Sequence, residues 1–190
     1  MRILAVTHPD SAARSPRSLS DGGRLQALSA ARRLRELAGK KTVLKAILSS
    51  PKARCLETAI LVAREFGETT KEEECFDRVE VRAELEEGQS PIQPDALKGL
   101  FGEIRNGLLA QSRQGAQWSP DWAILVSMHG DLVGVIGSSA TLATEIAPGS
   151  SIASGGWFDV RPVIAVCDYD DQFSVKNCEA LFAGSWASCL

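Results

Sequence analysis

Much that would narrow the function is missing from this sequence. No apolar run approaches the ~18 residues of a membrane span, so no membrane association is expected. Five cysteines, at positions 55, 75, 167, 178 and 189, form no C-x-x-C pair and show no zinc-like spacing to a histidine. An odd number of scattered thiols points to a reducing compartment, and hence to a cytoplasmic protein. Basic charge is not in excess. The net charge is −3, which argues against a broad nucleic-acid-binding face but leaves room for a local anion site. Residues 1–6 are too short for the apolar core of a secretory signal and lead straight into a strand, so no signal is expected. No repeat, low-complexity tract or linker interrupts the chain, and residues 1–190 are read as a single domain. A chain of this length buries about 70% of its extended surface and needs no disulfide or metal staple. No cluster of metal ligands stands out, and no cofactor is expected. Histidine is among the scarcest residues. There are two, His8 and His129, and each closes an apolar run.

Residues 2–6 (Arg-Ile-Leu-Ala-Val) form the first expected strand, which delivers His8 to a turn. A polar loop covers 9–20, and Ser20 or Asp21 then caps a helix over about 22–38. Leu25, Leu28, Ala31, Leu34 and Ala38 lie on one face of that helix at steps of three and four. Gly39-Lys40-Lys41 ends it. A second strand, 42–49, runs into Ser49-Ser50-Pro51, with proline near the start of a helix over about 52–66. Leu56, Ala59, Ile60, Ala63 and Phe66 are its expected inner face, and Gly67 its C-terminal stop. A weak strand at 76–81 and a helix at 95–112, with Leu97, Leu100, Phe101, Ile104 and Leu108 inward, come next. Trp122 to Ser127 reads as a central strand leading to His129-Gly130, then a helix over about 131–144. A Gly/Ser loop at 148–156 precedes strands at 162–169 and 173–178. Strands alternating with helices, followed by a hairpin, predict a three-layer α/β/α fold. Its mixed sheet is expected to be mainly parallel with an antiparallel edge.

In such sheets, sites form beyond the carboxyl ends of the strands. His8, Ser49/Ser50 and His129 all fall there. Arg54 occupies the first turn of the second helix, whose N-terminus attracts anions, and its planar fork matches phosphate oxygens. Arg17, in the loop after His8, can reach the same place. Two histidines and two arginines at a helix N-terminus make a phosphate site: one imidazole attacks phosphorus, and the second, with the arginines, stabilises the equatorial oxygens. Ser49 and Ser50 are read as turn and capping groups near the phosphate. The tryptophans are read as packing residues.

Four segments resemble the histidine phosphatase (phosphoglycerate mutase-like) superfamily. Ala5-Val-Thr-His-Pro-Asp-Ser11 is similar to the strand and Arg-His-Gly-Glu/Asp motif. Arg17-Ser-Leu-Ser-Asp-Gly-Gly23 is similar to Arg-Pro-Leu-Thr-x-x-Gly. Ile47-Leu-Ser-Ser-Pro-Lys-Ala-Arg-Cys-Leu-Glu-Thr-Ala59 is close to Ser-Ser-Pro-x-x-Arg-Ala-x-Gln-Thr-Ala. Leu125-Val-Ser-Met-His-Gly-Asp-Leu-Val-Gly134 resembles the second-histidine motif. Arg82-Ala-Glu-Leu85 resembles the stretch that supplies an acidic residue. Length and the His-x-x-Leu-Val-Gly pattern most resemble the small phosphohistidine phosphatase branch.

The resemblance implies a metal-independent phosphatase. His8 would be the phosphorylated nucleophile, and Arg54 and Arg17 would clamp the phosphoryl group. His129 would stabilise the group in transfer, and Glu84 would donate a proton. The substrate would be a phosphohistidine protein or a small phosphomonoester. Two positions depart from the pattern. Thr7 stands where the family has arginine, exchanging a charged contact worth about 1.5–3 kcal/mol for a hydroxyl hydrogen bond to phosphate. Pro9 stands where the family has glycine, removing a backbone N–H. The departures keep a second reading open: a catalytically impaired member that binds a phosphorylated ligand without turnover.

Overall fold

The strand Arg2–Thr7 (β1) shows how the sheet is covered. Ile3 and Ala5 point to one face, Leu4 and Val6 to the other, and all four are fully buried. A strand buried on both faces needs helices on both sides. The computed structural model describes residues 1–9, 18–67, 77–86, 94–111, 117–129, 163–170 and 175–182. Further strands are β2 (Val43–Ser49), β3 (Val79–Val81), β4 (Trp122–Met128), β5 (Val163–Tyr169) and β6 (Val175–Phe182). They form one six-stranded sheet in the order β3-β2-β4-β1-β5-β6. Strands β1 to β4 pair in parallel, while β5 and β6 add an antiparallel edge beside β1. The fold is the expected α/β one.

Helices α1 (Asp21–Ala38) and α2 (Ala53–Glu65) cover the face carrying Leu4, Val6, Leu125 and Ile164. Helix α3 (Pro94–Gln111) covers the other through Leu100, Phe101 and Ile104. Ser20 is the cap of α1, accepting from the Gly23 amide at 3.0 Å. Gly39 ends that helix at φ 90°, and Gly67 follows α2 at φ 75°, both values that a residue with a Cβ rarely adopts.

Three expectations are corrected. Leu25 is 65% exposed; the buried face of α1 is Ala27, Ala30, Ala31, Leu34 and Ala38. Alanines let α1 approach the sheet closely, and a stripe traced through leucines is offset from them. In α2 the inner face is Cys55, Thr58, Ala59, Val62 and Ala63, while Leu56 and Ile60 are half-buried. The polar Cys55 and Thr58 hid this face from a reading based on apolar spacing. Finally, Cys167 is disulfide-bonded. A reading of the cysteines as scattered thiols did not foresee that bond. The expected helix at 131–144 and the loop at 148–156 lie outside the described residues. No helix among the described residues is long and apolar enough to cross a membrane.

Candidate active site

Parallel pairing of β1 with β4 runs from Arg2↔Ala123 to Thr7↔Met128. The next residues, His8 and His129, therefore leave the sheet side by side. The His8 amide donates to the Met128 carbonyl at 3.3 Å. The two rings meet edge to face, with centroids 5.2 Å apart and planes at 73°. Both are buried, at 3% and 1% exposure, so their ring nitrogens require partners within the protein.

His8 Nδ1 lies 2.8 Å from the Pro9 carbonyl oxygen. A carbonyl only accepts, so Nδ1 carries the proton and Nε2 presents a lone pair. Arg54 Nε donates to that lone pair at 2.9 Å. Proline lacks the amide hydrogen but keeps the carbonyl. Pro9 thus retains the group that sets the His8 tautomer.

Arg54 is the second residue of α2, and the start of that helix is clamped to β4. The Ser50 amide donates to the Ser127 carbonyl at 3.1 Å, and Ser127 Oγ donates to the Cys55 carbonyl at 2.8 Å. Next to His129 Nε2 lie Ser50 Oγ at 3.2 Å and Cys55 Sγ at 3.6 Å. Thr7, His8, Ser49, Ser50, Ser127 and His129 are all buried at the carboxyl ends of β1, β2 and β4. Burying a polar group without a partner costs about 1–3 kcal/mol. A polar cluster in the centre of the sheet is therefore costly as packing and apt as a site.

The structure brings His8, His129 and Arg54 together. Thr7 is buried at the last position of β1. Glu84 stands apart: it is exposed, on the 3-10 turn Ala83–Leu85. That turn is anchored beside the site by the Arg82 amide on the Ser49 carbonyl, 2.9 Å, and by an ion pair from Lys52 Nζ to Glu86 at 2.6 Å. Glu84 itself makes no hydrogen bond or ion pair with another described residue. Arg17 lies outside the described residues. Among the described residues, no three His, Cys, Asp or Glu side chains gather as a metal ion would need.

Residues 7–93 match the model of the histidine phosphatase superfamily (branch 1). The matched segment is somewhat less than half of the chain, and it shows what the chain resembles. No curated protein matches it by sequence. Its fold is that of a protein histidine phosphatase, SixA, solved in complex with tungstate. The identity is 20% and the TM-score 0.56, over 96% of this chain and 94% of that one. A putative phosphohistidine phosphatase SixA from Agrobacterium tumefaciens shares it at 18% identity and TM-score 0.53, over 94% and 96%. Mycobacterial hydrolase 2 shares it at 16% and 0.51, over 95% and 88%. At these identities the likeness is one of fold.

Two neighbours of His129 are not assigned by the sequence. Ser50 was legible as a turn residue, but its contact with His129 was not. Cys55 was read only for metal and disulfide spacing. The usable signal was positional: Ser50 ends a strand adjacent in the sheet to the one that ends at His129.

Proposed function

We propose that this protein is a metal-independent phosphatase that works through a phosphohistidine on His8. The observation that supports this most is the His8 Nε2 lone pair, fixed by Nδ1–H on the Pro9 carbonyl and met by Arg54 Nε at 2.9 Å. On substrate binding the Arg54 guanidinium passes from Nε2 to the phosphoryl oxygens, where charge strengthens its hydrogen bonds. Nε2 attacks phosphorus in line. A new P–N bond forms as the bond to the leaving group breaks, and the leaving group takes the electron pair and a proton. Nδ1 keeps its proton on the Pro9 carbonyl, so the phosphorylated ring is cationic and leaves readily. Water then attacks phosphorus and loses a proton to solvent, the P–N bond breaks, and inorganic phosphate departs. His129 stabilises the oxygens in transit, assisted by Arg17 and Thr7.

Glu84 is the proton donor in this scheme for alkoxide leaving groups. A phosphohistidine substrate needs it less, since imidazole leaves more easily than an alkoxide. That substrate class is favoured over small phosphomonoesters by the names of the two SixA proteins that share the fold. Tungstate, bound in one of them, is an oxyanion of the kind this site would receive. A cytoplasmic location belongs to the same proposal. It requires the Cys167 disulfide either to resist the glutathione pool or to be reduced in the working protein.

A second reading rests on Thr7 and Pro9: a member that binds a phosphorylated ligand without turning it over. Assays with p-nitrophenyl phosphate and a phosphohistidine peptide, in the presence of a chelator, separate the two. Turnover of both by wild type and of neither by His8→Ala is the expected result. An inactive wild type, with ligand binding intact in His8→Ala, establishes the second reading instead.

A further inference from the structure

We infer that Ser50 is a positioning residue for His129: its hydroxyl holds the imidazole at Nε2 in one tautomer and keeps that nitrogen aimed at the incoming phosphoryl group. The consequence for turnover rests on the phosphatase reading; the effect on the ring does not.

Ser50 is fully buried. Its amide is bonded to the carbonyl of Ser127, two residues before His129 on the same chain segment. The serine and the histidine therefore share one rigid support, and the 3.2 Å between Oγ and Nε2 is fixed by the backbone of β4. The obvious structural role, capping α2, does not account for the hydroxyl. The cap residue of α2 is Lys52, with no side-chain cap bond. The Lys52 amide reaches Ser50 Oγ only at 3.4 Å, the longer of its two contacts. Ser49 supplies a contrast next door, since its hydroxyl is used on the Ser50 carbonyl at 2.9 Å.

Proton accounting gives the contact a direction. The Lys52 N–H takes one of the two lone pairs of Ser50 Oγ and leaves the second for an Nε2–H of His129, the proton that phosphoryl oxygens accept. A neutral His129 then carries its proton on Nε2 and donates it to Ser50 until the phosphoryl group arrives. Cys55 Sγ, at 3.6 Å from the same nitrogen, is a weaker acceptor and flanks the ring. His8 is held differently, through a backbone carbonyl that no side-chain substitution removes. The orientation of His129 depends on a side chain, and that makes it testable.

The experiment compares wild type, Ser50→Ala and Ser50→Thr as full chains. Long-range proton–nitrogen NMR on histidine-labelled protein reads the ring tautomers, and kcat and KM are measured with p-nitrophenyl phosphate. With two histidines in the chain, one His8→Ala spectrum completes the assignment. Ser50→Ala is expected to turn the single His129 tautomer pattern into a mixed one and leave His8 unchanged. It should lower kcat on the order of tenfold with KM within about twofold, the signature of lost orientation rather than lost binding. Ser50→Thr restores both. If Ser50→Ala fails to fold, Ser50→Cys, with a weaker hydrogen-bonding group, is read in the same way. His129 ring shifts that do not change on removal of the hydroxyl overturn the proposal, whatever the activity. If wild type is inactive, the phosphatase reading fails and the ring shifts alone decide the role of Ser50.

Discussion

The two ends of β1 each pair an arginine, and they do so in opposite ways. At the amino end Arg2 is saturated. Its Nε and Nη2 donate to the two Asp168 carboxylate oxygens at 2.8 and 3.2 Å, and its Nη1 to the Ala38 carbonyl at 3.0 Å. The Asp168 hydrogen bond raises the guanidinium pKa further, against the opposing effect of burial. At the carboxyl end Arg54 gives its Nε–H to a neutral ring nitrogen of His8. A charged partner already in place makes Arg2 a staple joining β1, β5 and α1. In the proposed mechanism the Arg54 contact is exchanged, because an arriving phosphate offers Arg54 the opposite charge that a ring nitrogen lacks. On the proposed mechanism the same residue type is structural at one end of the sheet and takes part in chemistry at the other.

The comparison is broken most severely at His8. His8→Ala should abolish turnover of p-nitrophenyl phosphate, by three orders of magnitude or more, while Arg2→Ala leaves kcat unchanged. Next in size is Arg54→Ala, expected to cost on the order of 10²–10³ in kcat/KM. Arg54→Lys should recover little, since a point charge does not replace the planar fork; full recovery by lysine would reduce Arg54 to simple charge. Thr7→Arg sharpens the comparison from the other side. If the missing arginine limits the site, kcat/KM rises about ten- to a hundredfold, and an unchanged or lower value means that Pro9 has redirected the pocket.

Smaller effects belong to the amino end. Asp168→Asn should lower stability to chemical denaturation by about 0.5–1 kcal/mol, a figure kept low because the pair is partly exposed, without altering kcat. Smallest is a titration. Tyr169 is the single tyrosine of the chain, and burial raises its pKa above the ordinary 10.0. A raised folded-state value favours the neutral ring. Its contribution is fully present below pH 10.0 and is lost as pH rises towards the folded-state value. Tyrosinate absorbance should appear only above the ordinary midpoint, and Tyr169→Phe should flatten the alkaline decline in stability. Ionisation near pH 10.0 in the native protein would show the ring to be solvated.

Much of this was legible because strands buried on both faces announce themselves as short apolar runs. The run Ile3-Leu-Ala-Val6 and the run from Trp122 into His129 mark two strands and the histidines that follow them. The Ser-Ser-Pro turn placed Arg54 at a helix start. Helix faces were less legible. In α1 and α2 the buried stripes set Leu34, Leu61 and Val62 among alanine, cysteine and threonine, small residues whose burial depends on how closely a neighbour approaches. Sequence spacing does not carry that information. The Ser50–His129 contact is a product of strand register, which brings together residues far apart in the chain.

The central claim is that His8 Nε2 carries the phosphoryl group. Rapid quench during turnover, followed by mass spectrometry and phosphorus NMR under alkaline conditions, measures this directly. The account predicts an acid-labile, base-stable phosphoryl group on His8, bonded through Nε2. A turning-over enzyme whose phosphoryl group sits on Nδ1 of His8, on another residue, or on none would contradict it.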